Sequence, residues 1–92
     1  MSHTICLLVD ILSKNGNPLG AIAKEFESGL VPIAGMEVED SVWSNPKKII
    51  RTALDFEEET YAVDLEPEIF SDAAEYEKNK PLYESHDWRI VS

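Results

Sequence analysis

Cysteine is almost absent from this chain of 92 residues, in which Cys6 is the only one. A single cysteine cannot form a disulfide within the chain, which fits a reducing compartment. Apolar runs are also short: Ile5–Val9 ends at Asp10, far below the ~18–20 apolar residues that a membrane helix needs. No lysine or arginine precedes that run, so the small-residue triplet Ala21–Ala23 is not interpreted as a signal-peptide cleavage site. We therefore expect a cytoplasmic protein.

Basic residues are scarce, since eight lysines and arginines stand against eighteen acidic residues and leave a net charge of −10. A field of that sign repels phosphate backbones and anionic lipid headgroups. The composition therefore disfavours direct binding to nucleic acid or to a membrane, and favours attraction to a basic protein surface or a cation. A simpler interpretation is that the charge keeps a small protein soluble.

Residues that usually carry chemistry are few and scattered. Two histidines and one cysteine are too few for a zinc site, and a calcium loop placed on Gly16 would put Ile11, which has no ligand atom, at its first position. Cys6 lies in an apolar stretch, so we expect it to be buried and unreactive. His86, beside Asp87, is the one candidate general base, and such a pair is common in solvated loops. We predict no enzyme activity, no metal and no cofactor.

A chain of this length forms one domain, because two cores would each have too little chain to enclose them. Apolar residues make up 43% of the sequence and recur along most of it, so disorder is disfavoured. No internal repeat or low-complexity tract divides the chain. Residues 1–92 are therefore expected to be a single small acidic domain.

The chain is predicted to begin with a β-hairpin. Ile5–Leu12 is apolar on both alternating faces apart from Asp10, as in a strand that is covered on both sides. The turn formers Ser13–Pro18, which include Asn-Gly, follow directly. The next segment, Gly20–Glu27, fits either a return strand, in which Lys24 breaks the alternation, or a helix. The adjacent turn favours the strand, and both alternatives stay open.

The middle of the chain is expected to contain a loop and a strand. Leu30–Gly35 is apolar but is broken by Pro32 and by its glycine, which is typical of a loop or an edge segment. Met36–Trp43 alternates between apolar and acidic residues, which predicts a half-buried strand.

Ile49–Leu65 is predicted to form a second hairpin that turns at Glu57–Glu59. A helix over Pro46–Glu58 would place lysines at its positive end and carboxylates at its negative end, against the helix dipole. If the segment forms strands instead, its apolar residues and one threonine lie on the same face of the sheet. These are Ile50, Thr52, Leu54 and Phe56 on the first arm and Tyr61, Val63 and Leu65 on the return arm.

The polar C-terminal segment is expected to add a helix and a short strand. Ser71 is a candidate cap for a helix over Asp72–Lys78, which Pro81 would stop, and Trp88–Val91 is a candidate last strand. The predicted fold class is mainly β, with α+β as the alternative. It is a small antiparallel sheet or barrel-like roll with one short helix near the C-terminus.

The leading functional hypothesis is a non-enzymatic protein–protein interaction domain that engages a basic partner surface, with a homo-oligomer left open. The candidate partner-binding residues are the densest acidic cluster and one tryptophan, the residue type most enriched at binding hot spots: Asp55, Glu57, Glu58, Glu59 and Trp88. One alternative is an inhibitor that mimics nucleic acid, which requires two rows of carboxylates at phosphate-like spacing. A small hydrolase would require His86 to line a cleft with carboxylates.

Overall fold

The computed structural model describes residues 2–92, which form a curled sheet with one helix packed against its inner face. The helix, α1, spans Ala73–Ser85. The predicted class, mainly β with one helix near the C-terminus, is confirmed. The strands in chain order are β1 His3–Ser13, β2 Pro18–Ser28, β3 Glu37–Val38, β4 Lys47–Asp55, β5 Thr60–Leu65, β6 Glu68–Phe70 and β7 Arg89–Ile90.

β1 is the central strand of a sheet with the order β3-β4-β5-β1-β2-β7. It pairs antiparallel with β2 along nearly its whole length, from His3 opposite Ser28 to Leu12 opposite Pro18. On its other side it pairs parallel, first with β5 and then with β6. Pro67, which has no N–H to donate, separates these two strands. The sheet is therefore mixed, and the predicted antiparallel arrangement holds for every pair except these two.

The first predicted hairpin is confirmed, and Gly20–Glu27 lies within a strand. In the turn, Gly16 has a φ of 83°, which a residue without a Cβ adopts easily. Ile22 is fully buried on the inner face. Lys24, which breaks the apolar alternation on that face, is 2.8 Å from the carboxylate of Asp40. A lysine fits there because its ammonium group has an anionic partner.

Only one face of β1 is covered completely, which corrects the prediction that both would be. The inner-face residues Ile5 and Val9 are buried, as are the others of that alternation. On the outer face, Cys6 and Leu8 are only half-buried. Burial raises the pKa of the Cys6 thiol, and the carboxylate of Glu25 raises it further. Cys6 is therefore partly accessible, but its reactive thiolate form is disfavoured.

The second predicted hairpin, Ile49–Leu65, is confirmed, with β4 and β5 paired antiparallel around the turn that holds the three glutamates. A bulge between Ile49 and Arg51 shifts the pairing by one residue. Ile49 consequently takes the core position, and Ile50, predicted to face the core, is 57% exposed. Phe56, predicted on the same covered face, lies in the turn and is 83% exposed.

The strand predicted over Met36–Trp43 was wrong except at Glu37 and Val38. The Asp40 carboxylate accepts a hydrogen bond from the backbone N–H of Val42 at 3.1 Å, and the N–H of Trp43 donates to the Asp40 carbonyl at 3.3 Å. These local bonds turn the chain, so the alternating pattern does not continue as a strand.

The helix begins one residue after the predicted start, because Asp72 caps it instead of Ser71. The Asp72 carboxylate accepts the backbone N–H of Glu75 at 2.9 Å. Ser71 instead donates its hydroxyl to the Glu75 carboxylate, also at 2.9 Å. An extended Asp72 backbone with its side chain turned back to the third helical residue is the usual geometry of an N-cap.

The prediction that Pro81 ends the helix was wrong, since α1 continues through it to Ser85. Tyr76 and Tyr83 lie two turns apart on one face and are both buried. Burying two large aromatic side chains contributes about 1.5–3 kcal/mol each, which offsets a cost of about 3 kcal/mol for a proline inside a helix. The last strand is confirmed at β7. No helix in residues 2–92 is long and apolar enough to cross a membrane.

Candidate functional site

The inner face carries a row of four apolar side chains across four strands. The pairing places Leu54 of β4 beside Tyr61 of β5, Tyr61 beside Ile5 of β1, and Ile5 beside Phe26 of β2. Helix α1 lies at the opposite end of β1, where Tyr76 packs against Gly20. The helix therefore does not cover the row. Leu54 and Phe26 at its two ends are each 43% exposed, whereas Tyr61 is half-buried and Ile5 is buried between them.

Two shallow depressions flank this row. One, of about 200 Å³, lies beneath the loop that follows β2 and is lined by apolar side chains including Phe26, Leu30, Met36 and Ile49. Phe26 and Ile49 belong to strands that are separated by two others, so this depression is the hollow of the curled sheet. The other depression, of about 250 Å³, lies at the tip of the β4–β5 hairpin.

Apolar side chains that face solvent extend the row on both sides. Leu30 in the loop after β2 is 75% exposed, and Phe56 at the hairpin tip lines the second depression. Contiguous exposed apolar surface marks a candidate interaction site, and protein interfaces are enriched in aromatic residues such as phenylalanine. We call this surface the apolar platform and define it by six residues: Ile5, Phe26, Leu30, Leu54, Phe56 and Tyr61.

The charge around the apolar platform is negative. Glu37 and Glu59 are the only acidic or basic side chains, histidine apart, among the described residues that line the two depressions. The histidine is His3, whose ring packs edge-on against Tyr61 with centroids 4.8 Å apart. No lysine or arginine among residues 2–92 lines either depression. Lys24, two residues before Phe26 on the same face, is paired with Asp40.

The predicted acidic cluster lies beside this platform, and its members differ in their roles. The Asp55 carboxylate accepts the backbone N–H groups of Glu57 at 3.0 Å and of Glu58 at 3.2 Å, and thereby shapes the turn. Glu57 and Glu58 are exposed at the tip. Glu59, which has a φ of 54°, also lines the second depression. The side chains available to a partner are therefore the three glutamates.

Trp88, the fifth predicted binding residue, lies elsewhere in the molecule. Its side chain is 2% exposed and packs against Trp43, with ring centroids 5.4 Å apart. The ammonium group of Lys24 lies 5.4 Å from its ring on the inner face. Trp88 cannot contact a partner while this packing is intact. Sequence reasoning missed this because the surrounding polar residues concealed a core position.

The predicted candidate base, His86, contacts a hydroxyl group. Its Nδ1 atom lies 2.8 Å from the Oγ atom of Ser41, which joins the loop after β3 to the end of α1. A hydrolytic site also needs a group that orients the imidazole and donors that stabilise an oxyanion. Among residues 2–92, Ser41 is the only hydrogen-bond partner of the His86 ring. The same residues contain no group of three or more metal-ligating side chains that could hold a metal ion.

Carboxylates on the outer face of the sheet are mixed with cations. Arg51 lies 4.0 Å from Asp64, and Arg89 lies 3.9 Å from Glu25. Mimicry of nucleic acid needs two uninterrupted rows of negative charge, because the partner's groove is lined with cations. The arginines on this face do not favour such an arrangement.

Comparison with known proteins provides no relative from which a function could be transferred. The chain matches no protein-family model, no curated protein and no solved structure. Its function is therefore inferred from the apolar platform and the charges around it.

Proposed function

We propose that this protein is a non-enzymatic interaction domain that binds a segment of a partner protein in which apolar side chains stand next to lysines or arginines. The observation that carries this proposal is the apolar platform, whose residues Phe26, Leu30, Leu54 and Phe56 are exposed. The acidic or basic side chains that line its two depressions, His3 apart, are carboxylates, and the neighbouring Lys24 is already paired with Asp40. The single cysteine supports a cytoplasmic location for this interaction.

The apolar and acidic parts of the surface have different roles in the proposed binding. Transfer of a side chain such as Phe56 from water into an interface contributes about 1.5–3 kcal/mol. Exposed carboxylates contribute less to affinity, but they speed the encounter and select a partner of opposite charge. Five of the eight basic side chains already pair with carboxylates in the described structure, so the unpaired charge of the domain is mainly negative.

The acidic part is tested by changing Glu57, Glu58 and Glu59 together to glutamine. The probe is a peptide selected from a phage-displayed random library on the immobilised wild-type protein, and we expect such peptides to combine lysine or arginine with apolar residues. The triple variant should bind the probe about tenfold more weakly at low salt, with a smaller difference at high salt. Fluorescence anisotropy measures the affinity, and the free energy of unfolding should change by less than about 0.5 kcal/mol.

A matched control removes three other exposed charges far from the hairpin tip, with the changes Asp10→Asn, Glu39→Gln and Glu84→Gln. This control has the same net charge as the first variant. If both variants bind the peptide equally more weakly than the wild type, the affinity depends on the net charge of the protein, and the hairpin tip has no special role. Selection of acidic or uncharged peptides would contradict the proposal.

The apolar part is tested by Phe56→Ser. Because Phe56 is 83% exposed, its loss should leave stability within about 0.5 kcal/mol of the wild type, while affinity for the selected peptide falls at least about tenfold. Leu82→Ser, at an exposed apolar residue of α1, is the control and should leave binding unchanged. If the two serine variants bind the peptide equally well, the platform is not the binding surface.

A further inference from the structure

The outer edge of β2 is open next to the apolar platform. β7 and the residues after it cover only the stretch Ala21–Ala23. Beyond that stretch, Glu25, Phe26 and Glu27 are exposed. In the described part of the chain, β2 has no strand on this side after Ala23.

The pairing pattern shows which backbone groups point outwards from this edge. The N–H and C=O groups of Ala21 bond to the chain after β7, away from β1. In an antiparallel strand these groups alternate in direction with every residue, so those of Glu25 and Glu27 also point away from β1. Neither residue has a backbone hydrogen bond on that side within residues 2–92. Four backbone groups are therefore free to pair with another strand.

We infer that this edge takes up an extended segment of the partner as an additional antiparallel strand, continuing the position of β7. This inference rests on the proposed function. It specifies in addition that the partner segment is extended and that its backbone pairs with the edge of β2. Main-chain bonds to Glu25 and Glu27 would supply the pairing, and alternate side chains of the partner would supply selectivity.

The two faces of the sheet then require an alternating partner sequence. A partner residue opposite Phe26 points to the inner face, beside the hollow that Phe26 and Leu30 line. Partner residues opposite Glu25 and Glu27 point to the outer face, where both carboxylates are exposed. Glu25 lies 3.9 Å from the Arg89 guanidinium, and Glu27 accepts a hydrogen bond from the Thr4 hydroxyl at 2.8 Å, so each keeps an oxygen for a cation of the partner. Cross-strand pairs of opposite charge are favourable. The matching segment therefore reads basic, apolar, basic.

The same charges disfavour a second copy of this chain at this edge. In an antiparallel pair of two β2 edges centred on Phe26, Glu25 of each copy would face Glu27 of the other, and like charges directly opposite each other are destabilising. By contrast, the open part of β4 follows the bulge between Ile49 and Arg51, a feature that disrupts pairing along an edge. The β2 edge has no bulge in this stretch, since its pairing with β1 is regular there.

The test uses a capped hexapeptide of alternating arginine and leucine, with a peptide of three arginines followed by three leucines as the control of equal composition. We expect the alternating peptide to bind at least about tenfold more tightly, because only it can place cations and apolar groups on opposite faces of a strand. Methylation of the arginine backbone nitrogens should abolish binding, since these N–H groups face β2 in the antiparallel register. Methylation of the leucine nitrogens should leave binding nearly unchanged.

The variant Glu27→Pro tests whether the edge of β2 takes part in binding. It removes an N–H that points outwards and leaves the pairing with β1 intact, so circular dichroism should show a folded protein. We expect at least a tenfold loss of affinity for the alternating peptide, and a smaller loss for Glu27→Gln, which removes the charge alone. Should Glu27→Pro fail to fold, the methylated peptides bound to the wild-type protein decide the question.

Three outcomes would overturn strand addition. Equal binding of the two methylated peptides would show that the ligand backbone does not pair. Unchanged peptide binding by a folded Glu27→Pro variant would show that this edge is not used, and if binding still depends on Phe56, the proposed function survives alone. A dimer in sedimentation that dissociates on Glu27→Pro would show that a second copy occupies the edge.

Discussion

Replacing Trp88 with alanine is expected to lower the free energy of unfolding by about 3–5 kcal/mol. The side chain is 2% exposed and contacts Trp43 and the Lys24 ammonium group, so its removal leaves a cavity bordered by a ring and a charge. For a domain of this size such a loss corresponds to a fall of Tm of roughly 12–40 °C. Urea unfolding followed by circular dichroism measures the effect without relying on the tryptophan signal.

Trp43→Ala is the control for this prediction. Trp43 is half-buried, so Trp43→Ala should lower the free energy of unfolding clearly less than Trp88→Ala does. If Trp88→Ala changed stability by less than about 1 kcal/mol, Trp88 would not be a core residue. Its original interpretation as a partner-binding tryptophan would then have to be considered again.

The two hairpins could be predicted from the sequence because their signals are local. Asn15-Gly16 marks the first turn, and the charge pattern over Pro46–Glu58 excludes a helix through its conflict with the helix dipole. The bulge in β4 could not be predicted, since it depends on a neighbouring segment. The N–H of Ile49 donates to the carbonyl of Met36 at 2.8 Å, and the Ile49 carbonyl accepts the N–H of Gly35 at 2.8 Å.

Other errors arose where contacts between distant residues outweighed local preference. Pro81 should end a helix, but the buried tyrosines on either side of it hold α1 against the sheet. The alternation over Met36–Trp43 is real, yet the bonds of Asp40 to the following backbone turn the chain. In each case the sequence contained the residue responsible, but it did not show what that residue would contact.

The candidate site could be predicted only in part. The glutamates at the hairpin tip are consecutive in sequence, so their density was evident. The apolar platform combines residues from four strands, the loop after β2 and the β4–β5 turn. Nothing in the local pattern shows that Leu54, Tyr61, Ile5 and Phe26 form one row. The local sequence does indicate that Phe56 belongs to the turn, because it directly precedes three glutamates.

Asp40→Asn is expected to change how stability depends on pH. The Asp40 carboxylate accepts a hydrogen bond from Lys24 at 2.8 Å and one from the backbone N–H of Val42 at 3.1 Å. Burial alone would raise the pKa of Asp40, but these two bonds and the nearby indole of Trp88 outweigh it, so its pKa lies below the ordinary value. Within residues 2–92 the indole N–H itself makes no hydrogen bond of ordinary length, so the Lys24 and Val42 bonds are the principal contacts.

The sign of the effect follows from linkage between proton binding and folding. Because the folded pKa of Asp40 lies below the value of about 3.9 for an unfolded chain, the ionised carboxylate stabilises the fold above that value. This contribution is lost as the pH falls through the folded pKa. At pH 7 the asparagine variant should be less stable by about 1.5–3 kcal/mol, the range for a hydrogen bond to a charged group.

Urea unfolding of both proteins between about pH 7 and pH 2 checks this prediction. The difference in the free energy of unfolding should shrink as the pH falls below the unfolded pKa of about 3.9, because the wild-type carboxyl group is then also neutral. The other carboxylates are common to both proteins and shift the two curves together. Asp10→Asn, at an exposed residue, should run parallel to the wild type at every pH. If Asp40→Asn also ran parallel, the pair of Asp40 with Lys24 would not stabilise the fold through its charge, and Lys24 would be held on the inner face by its packing against Trp88.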